Sequence, residues 1–227
     1  MPTDKTLAVR AALENGGSAA ETQLALLAGE AGDSQLQIVV EKLTAAEINV
    51  LVADADMSKP SMAHAFITPD QFLEAFDRLG ARWSQSDEIK STADYTEIQS
   101  DVEDFLCPMI LSTGESVRAK KMLEKLLGHP LGAEAILFTA IGRKDYLEFL
   151  AAPGTQAITR GTWQELLQVT LEVQPSGYAE IAGLARAIHE DEDGLLSFAA
   201  GFIHAMHEEA RKYHAAVETA EEDFVDI

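Results

Sequence analysis

The residues best equipped for chemistry gather toward one end of the chain. Four of the six histidines, His189, His204, His207 and His214, lie beyond residue 188. Set on a helix at about 100° per residue, His207 and His214 share the edge of an apolar stripe, and His204 and Arg211 fall nearer solvent. His204 and Glu208 stand one turn apart, a His-x-x-x-Glu spacing able to clamp a transition metal from one helix. A di-iron bundle needs matching Glu-x-x-His or His-x-x-x-His pairs on facing helices, and these are missing. The expected role of this flank is pairing with surplus carboxylates. The alternative is a helical-bundle metalloprotein or metal-dependent enzyme that holds a transition metal ion through His204, His207 and Glu208.

Other candidates carry less chemistry. Asp54 and Asp56 would suit a magnesium site for phosphoryl transfer if Glu47 to Ser58 formed a buried strand with the pair at its end, but the cap at Thr44 points to helix. The run HEDEDG at 189–194 resembles a calcium loop only in part, because its first position is His189 and its twelfth is Ala200, where a bidentate glutamate is required. That run instead places negative charge at the amino end of the long helix beginning at Gly194. Cys107 has no local partner to lower its pKa and fits a small buried apolar group. No hydroxyl sits in a nucleophile-elbow pattern and no glycine loop is built to cradle phosphate, so no catalytic residue is expected.

Partner anchors are the remaining candidates. Trp83 and Trp163 each fit a core cover or a docking anchor. The stretch VETAEEDFVDI sets Glu218, Glu221, Glu222, Asp223 and Asp226 around Phe224, Val225 and Ile227. Acidic, hydrophobic tips of this kind dock on basic grooves or fray.

The elements that must position these residues are helices. Hydroxyl caps with Glu or Gln three residues later occur at Ser18 with Glu21, Thr44 with Glu47, Thr68 with Gln71, Ser112 with Glu115 and Thr162 with Glu165. Leu43 with Ile48, and Ile67 with Phe72, add hydrophobic staples, and Pro69 is pre-set for a first helical position. Helices are expected over 4–14, 19–28, 34–43, 45–57, 60–66 and 69–79, the last ended by Gly80. More follow over 95–111, 113–127, 131–141, 143–151, 162–173, 176–190 and 194–218, with a bend near Cys107-Pro108. In the long helix, Leu195, Ala199, Phe202, Met206, Tyr213 and Val217 share one stripe. The small residues Ser197, Ala199, Ala200, Gly201 and Ala205 suggest close approach by neighbours and a central place in the bundle. Ile67, Thr68, Phe72 and Glu74 echo Ile158, Thr159, Trp163 and Glu165 at a constant offset, a faint sign of duplication.

The fold class is therefore all-α: a multi-helix bundle or short superhelical stack of about 10 to 13 short helices with one long C-terminal helix. Residues 1–83 form an N-terminal helical subdomain, 84–94 a polar connection, 95–217 a C-terminal bundle and 218–227 an acidic tail, unless the stack is continuous. The rhythm of short capped helices over 18–79 resembles armadillo-like superhelical stacks such as the N-terminal domain of the MgtE magnesium transporters, without a diagnostic motif.

Charge limits the partners. Seventeen basic against thirty-eight acidic residues give a net charge of -21, which repels phosphate backbones and anionic membrane surfaces. Nucleic acid is excluded as an expected partner, and a basic protein segment is the easy electrostatic match. The apolar runs are too short to insert in a bilayer, the start lacks a secretory signal, and a lone cysteine fits a reducing compartment. The expected protein is soluble, cytoplasmic and non-enzymatic. It takes part in protein-protein interaction or regulation without a cofactor, and self-association is open to it.

Overall fold

The computed structural model describes residues 4–53, 55, 57–83 and 91–225, with side chains described as far as Tyr213. Its regular elements are α1 (Asp4–Leu13), α2 (Gly17–Ala31), α3 (Asp33–Val40), α4 (Ala45–Val52), α5 (Pro69–Asp77) and α6 (Thr96–Leu111). They continue with α7 (Ser116–Leu127), α8 (Gly132–Ala140), α9 (Tyr146–Ala151), α10 (Trp163–Val173), α11 (Pro175–His189) and α12 (Gly194–Val225). Short 3-10 turns occupy Met62–Ala65, Leu79–Arg82 and Thr92–Asp94. No strand occurs among the described residues, and the fold is all-α. Residues 45–52 are helix, so the strand that would have delivered a magnesium pair is absent. Asp54 and Asp56 themselves lie outside the described residues.

Two of the five hydroxyl caps close as reciprocal boxes, at Thr44 with Glu47 and at Thr68 with Gln71. The other three are put to different use. α2 already begins at Gly17, which leaves Ser18 inside the helix and frees Glu21 to bind Ser61 Oγ and the Met62 amide. Ser112 closes α6 rather than opening α7. Thr162 does precede α10, but its hydroxyl donates to the Thr159 carbonyl, and Glu165 accepts from the Gly161 amide. The expected helix at 60–66 shrinks to a single 3-10 turn, and the segment after Asp77 forms another. The faint echo between 67–74 and 158–165 is not structural: Phe72 is the fourth residue of α5, whereas Trp163 is the first of α10.

The centre of the molecule is α8 rather than the long helix. In GAEAILFTA every residue but Glu134 is buried, and α6, α7, α10, α11 and α12 all pack against it. A helix apolar all round must be enclosed all round. Gly132 permits the enclosure, since a Cβ there would lie 1.7 Å from the Leu126 carbonyl oxygen. Gln99 on α6 donates to the carbonyls of Phe138 and Ile141 at 2.6 and 2.8 Å, satisfying acceptors that the end of α8 leaves open.

α12 lies along one side of this centre. Ala199, Phe202, Met206 and Ala210 are buried, and the Phe202 ring sits 4.6 Å from that of Phe138, centroid to centroid. Ser197 and Gly201 face outward, with open space at Gly201, so the small residues of α12 do not mark a close crossing. That crossing is made from the other side by Gly80, where a Cβ would meet the Met206 carbonyl oxygen at 2.3 Å.

α1 to α5 build the other part of the structure. α2 packs on α1, α3 and α4, and α5 bridges from α4 to α7. Phe72 and Phe76 of α5 are fully buried, as are Phe138 and Phe149. Each such ring stabilises the fold by about 2 to 3 kcal/mol through burial alone. The buried apolar side chains form one cluster that runs from Val9 to Met206.

Candidate functional site: a groove between α3, α5 and α7

Where α7 meets the link between the Met62–Ala65 turn and α5, an open groove of about 420 Å³ remains. Its walls are fixed by two polar clasps. Gln71, already committed to the cap of α5, donates to the carbonyls of Val40 and Leu43 at 2.9 and 2.8 Å, tying the end of α3 to the start of α5. On the other side Arg118 of α7 donates to the Ile67 carbonyl at 2.9 Å and to the His64 carbonyl.

The lining is amphipathic. Phe66, Ile67 and Pro69 form the apolar floor, Val117 the lip, and Arg118 and Lys121 one rim, with Glu41 and Glu115 also present. Val117 is 68% exposed, the most of any large apolar residue described. The buried face of α7 is Ala119, Met122, Leu123 and Leu126, at the spacing of a single stripe, and Val117 falls outside its phase.

α7 is also electrostatically unusual. It carries Arg118, Lys120, Lys121 and Lys125 against Glu124 alone, a net charge of +3 within a chain of -21. Lys120 pairs with Glu124 and Lys125 with Asp70. Lys121 has no ion pair among the described residues, and Arg118 binds backbone carbonyls rather than a carboxylate. Burial pushes the Arg118 pKa down, opposed by Glu115, yet a guanidinium stays charged throughout the physiological range.

His64 lies directly behind the clasp. It is 1% exposed, its Nδ1 is buried without a partner, and its pKa is lowered to about 4 by burial and then by Arg118. It is a neutral side chain buried behind the groove, outside its lining.

Two further cavities are less equipped. One of about 340 Å³ lies between α2 and residues 59–62, but Glu21, the only carboxylate among its described lining residues, is engaged by Ser61 and Met62. Another of about 320 Å³ between α9 and α11 is lined by Leu147, Leu150, Ala151, Ala182, Ala185 and Arg186, whose Nε donates to the Ala182 carbonyl.

The histidine flank of α12 is dispersed. His204 is exposed, Glu208 pairs with Arg211 at 2.5 Å, and His207 is buried with its ring edge-on to Trp83 at 6.1 Å. Burial, followed by Arg211, lowers the His207 pKa against a backbone bond to Gly80. The side chain of His214 lies outside the described residues. Among the described residues no group of three or more His, Cys, Asp or Glu side chains is placed to hold a metal ion.

The aromatic anchors separate in the same way. Trp163 is 7% exposed and meets Phe149 edge-on, whereas Trp83 is half-buried and donates through Nε1 to Asp101 at 2.6 Å. The side chains of Phe224, Val225 and Ile227 lie outside the described residues. His129 sits in the turn between α7 and α8, bound to Asp77 at 3.1 Å. Cys107 is fully buried, and burial followed by Glu103 raises its thiol pKa well above the usual value.

The groove residues Phe66, Val117, Arg118 and Lys121 were not among those that the sequence singled out. Two signals for them exist there: four basic residues clustered in SVRAKKMLEKLL on an acidic chain, and a valine out of phase with its helix.

No family model, no curated protein and no solved structure matches this chain. The likeness to armadillo-like stacks therefore stays one of rhythm. No helix among the described residues is long and apolar enough to cross a membrane.

Proposed function

We propose that the protein is a non-enzymatic, helical interaction protein that docks a segment of a partner in the groove between α3, α5 and α7. The observation that supports this most directly is the juxtaposition at its rim. An exposed Val117 stands beside two cations, Arg118 and Lys121, that form no ion pair among the described residues, with Glu41 and Glu115 in the same lining. An apolar residue flanked by acidic ones complements that surface. The expectation of a basic partner, drawn from total charge, is replaced in this reading by an acidic one, because a contact senses the local field. The setting is the cytoplasm, where a lone thiol such as Cys107 stays reduced.

The test is site-specific cross-linking in cells. A photoreactive residue in place of Val117 is expected to trap a defined partner, and the adduct is expected to disappear when Lys121→Glu is added. Absence of adducts at 117, or adducts formed equally well from an exposed position on α11 such as Glu180, overturns the reading.

A further inference from the structure

We infer that His207 is an acid-sensitive latch: when its ring takes up a proton, the stretch of α12 around it comes away from the Leu79–Arg82 turn and Trp83 is uncovered. The inference is independent of the groove and gives the fold a conformational control.

The latch sits on a crossing without slack. A Cβ at Gly80 would meet the Met206 carbonyl oxygen at 2.3 Å and the His207 amide nitrogen at 2.9 Å, so turn and helix touch backbone to backbone. His207 closes this crossing. It is 9% exposed, its ring stands edge-on to Trp83 with centroids 6.1 Å apart, and its Nε2 is buried without a hydrogen-bond partner. A charged ring at this position is out of water with a nitrogen that meets no acceptor, an arrangement that favours leaving over staying.

The surrounding groups do not relieve that charge. Burial disfavours the proton most and Arg211 next; a backbone bond to Gly80 favours it, His204 opposes it, and Glu208, already engaged by Arg211 at 2.5 Å, favours it least. Across the crossing, Asp101 of α6 holds Arg82 at 3.1 Å and the Trp83 Nε1 at 2.6 Å. At the end of α5, Asp77 is bound to His129, and Arg78 lies over the Tyr213 ring at 4.8 Å. The released ring takes its proton near pH ~6.5, the latched ring only below that. The latch is therefore complete above pH ~6.5 and weakens as pH falls, its opening constant rising by up to about tenfold per pH unit, the slope of a single proton.

The earlier part of α12 stays in place when the latch opens. Ala199, Phe202 and Met206 are buried, and the Phe202 ring lies 4.6 Å from that of Phe138 on α8. Opening is thus local, a sub-global event within a fold that remains closed around α8.

The experiment follows hydrogen exchange of the natural full-length protein from about pH 7.5 to about pH 5, corrected for the intrinsic effect of pH on exchange. Amides at 204–213 are expected to lose protection by up to about tenfold per pH unit below pH ~6.5, while those of α8 keep theirs. In protein carrying Trp163→Phe, Trp83 is the sole tryptophan, and its emission is expected to shift to the red over the same range. His207→Leu is expected to abolish both responses with circular dichroism unchanged. Nuclear magnetic resonance titration of the His207 imidazole, which needs no substitution, is expected to place its pKa below the ordinary ~6.5. No loss of protection at 204–213, a loss that survives His207→Leu, or a His207 pKa at or above ~6.5 overturns the inference. So does simultaneous loss of protection in α8, since the whole fold then opens and no latch exists.

Discussion

Two arginines on neighbouring elements end up in opposite electrostatic situations. Arg143, in the turn after α8, pairs with Glu103 of α6, and the same carboxylate also accepts the Trp163 amide at 2.9 Å. Positive and negative charge are paired there, although Arg143 Nε has no hydrogen-bond partner among the described residues. Arg118 is held as firmly, but by two carbonyls, with the Glu115 charge acting on it without a direct ion pair among the described residues. The region around α8 is closed in both packing and charge. The seam between α7 and α5 keeps an open groove, although Lys125 and Asp70 pair across it. An open groove and two cations without an ion pair among the described residues thus coincide at one place.

That contrast can be attacked from the closed side first. Gly132→Ala is expected to destabilise by about 3 kcal/mol or more, because the added carbon meets a backbone carbonyl that cannot rotate away. Thermal unfolding followed by circular dichroism measures it, and a loss under about 1 kcal/mol would show that the centre yields more than its contacts indicate. Glu103→Gln keeps an acceptor for the Trp163 amide but removes the charge opposite Arg143. A loss of about 2 kcal/mol is expected, below the figure for a fully buried pair because Arg143 reaches solvent.

A residue behind the groove offers an intermediate test. The His64 pKa is about 4 when folded against an ordinary 6.5, so the unfolded chain takes up this proton first as pH falls. The contribution is complete above pH ~6.5 and is lost progressively toward pH ~4, by roughly 1 to 2 kcal/mol between pH 7 and pH 5. His64→Gln is expected to flatten the urea-derived stability curve in that window relative to the natural protein. An unchanged slope would mean that His64 is protonated in the fold. The smallest expected effect lies on the open side: Val117→Asp and Lys121→Glu should each shift stability by less than about 0.5 kcal/mol while abolishing docking. A large loss of stability in either would close the distinction between the two regions.

The sequence made some of this legible and hid the rest for physical reasons. Thr68, Pro69 and Gln71 specify the start of α5 through contacts within one turn, and the structure forms them as a capping box. Thr162 has the same pattern, yet its hydroxyl turns back to Thr159, because a cap competes with every nearby acceptor. The run ILFTAI reads as apolar, but only the five helices around it make α8 the centre. The small residues of α12 suggested a close approach that Gly80, distant in sequence, provides instead. The groove was hidden for the same reason. Its floor, lip and rim come from α3, the link into α5 and α7, and no local pattern says that these will meet. Val117 could have been noticed as a valine in the wrong phase, and α7 as a basic island, though neither says which surface would face it.

The single thiol of Cys107 gives the molecule a built-in clock. It lies in α6, fully enclosed beneath the closed region, and the chain has no second cysteine to confuse the signal. An alkylating reagent reaches it only when that half of the molecule opens, so the rate of modification reports the free energy of opening without any probe being added. An occupant of the groove would slow that rate only if the groove and the surroundings of Cys107 open as one cooperative unit.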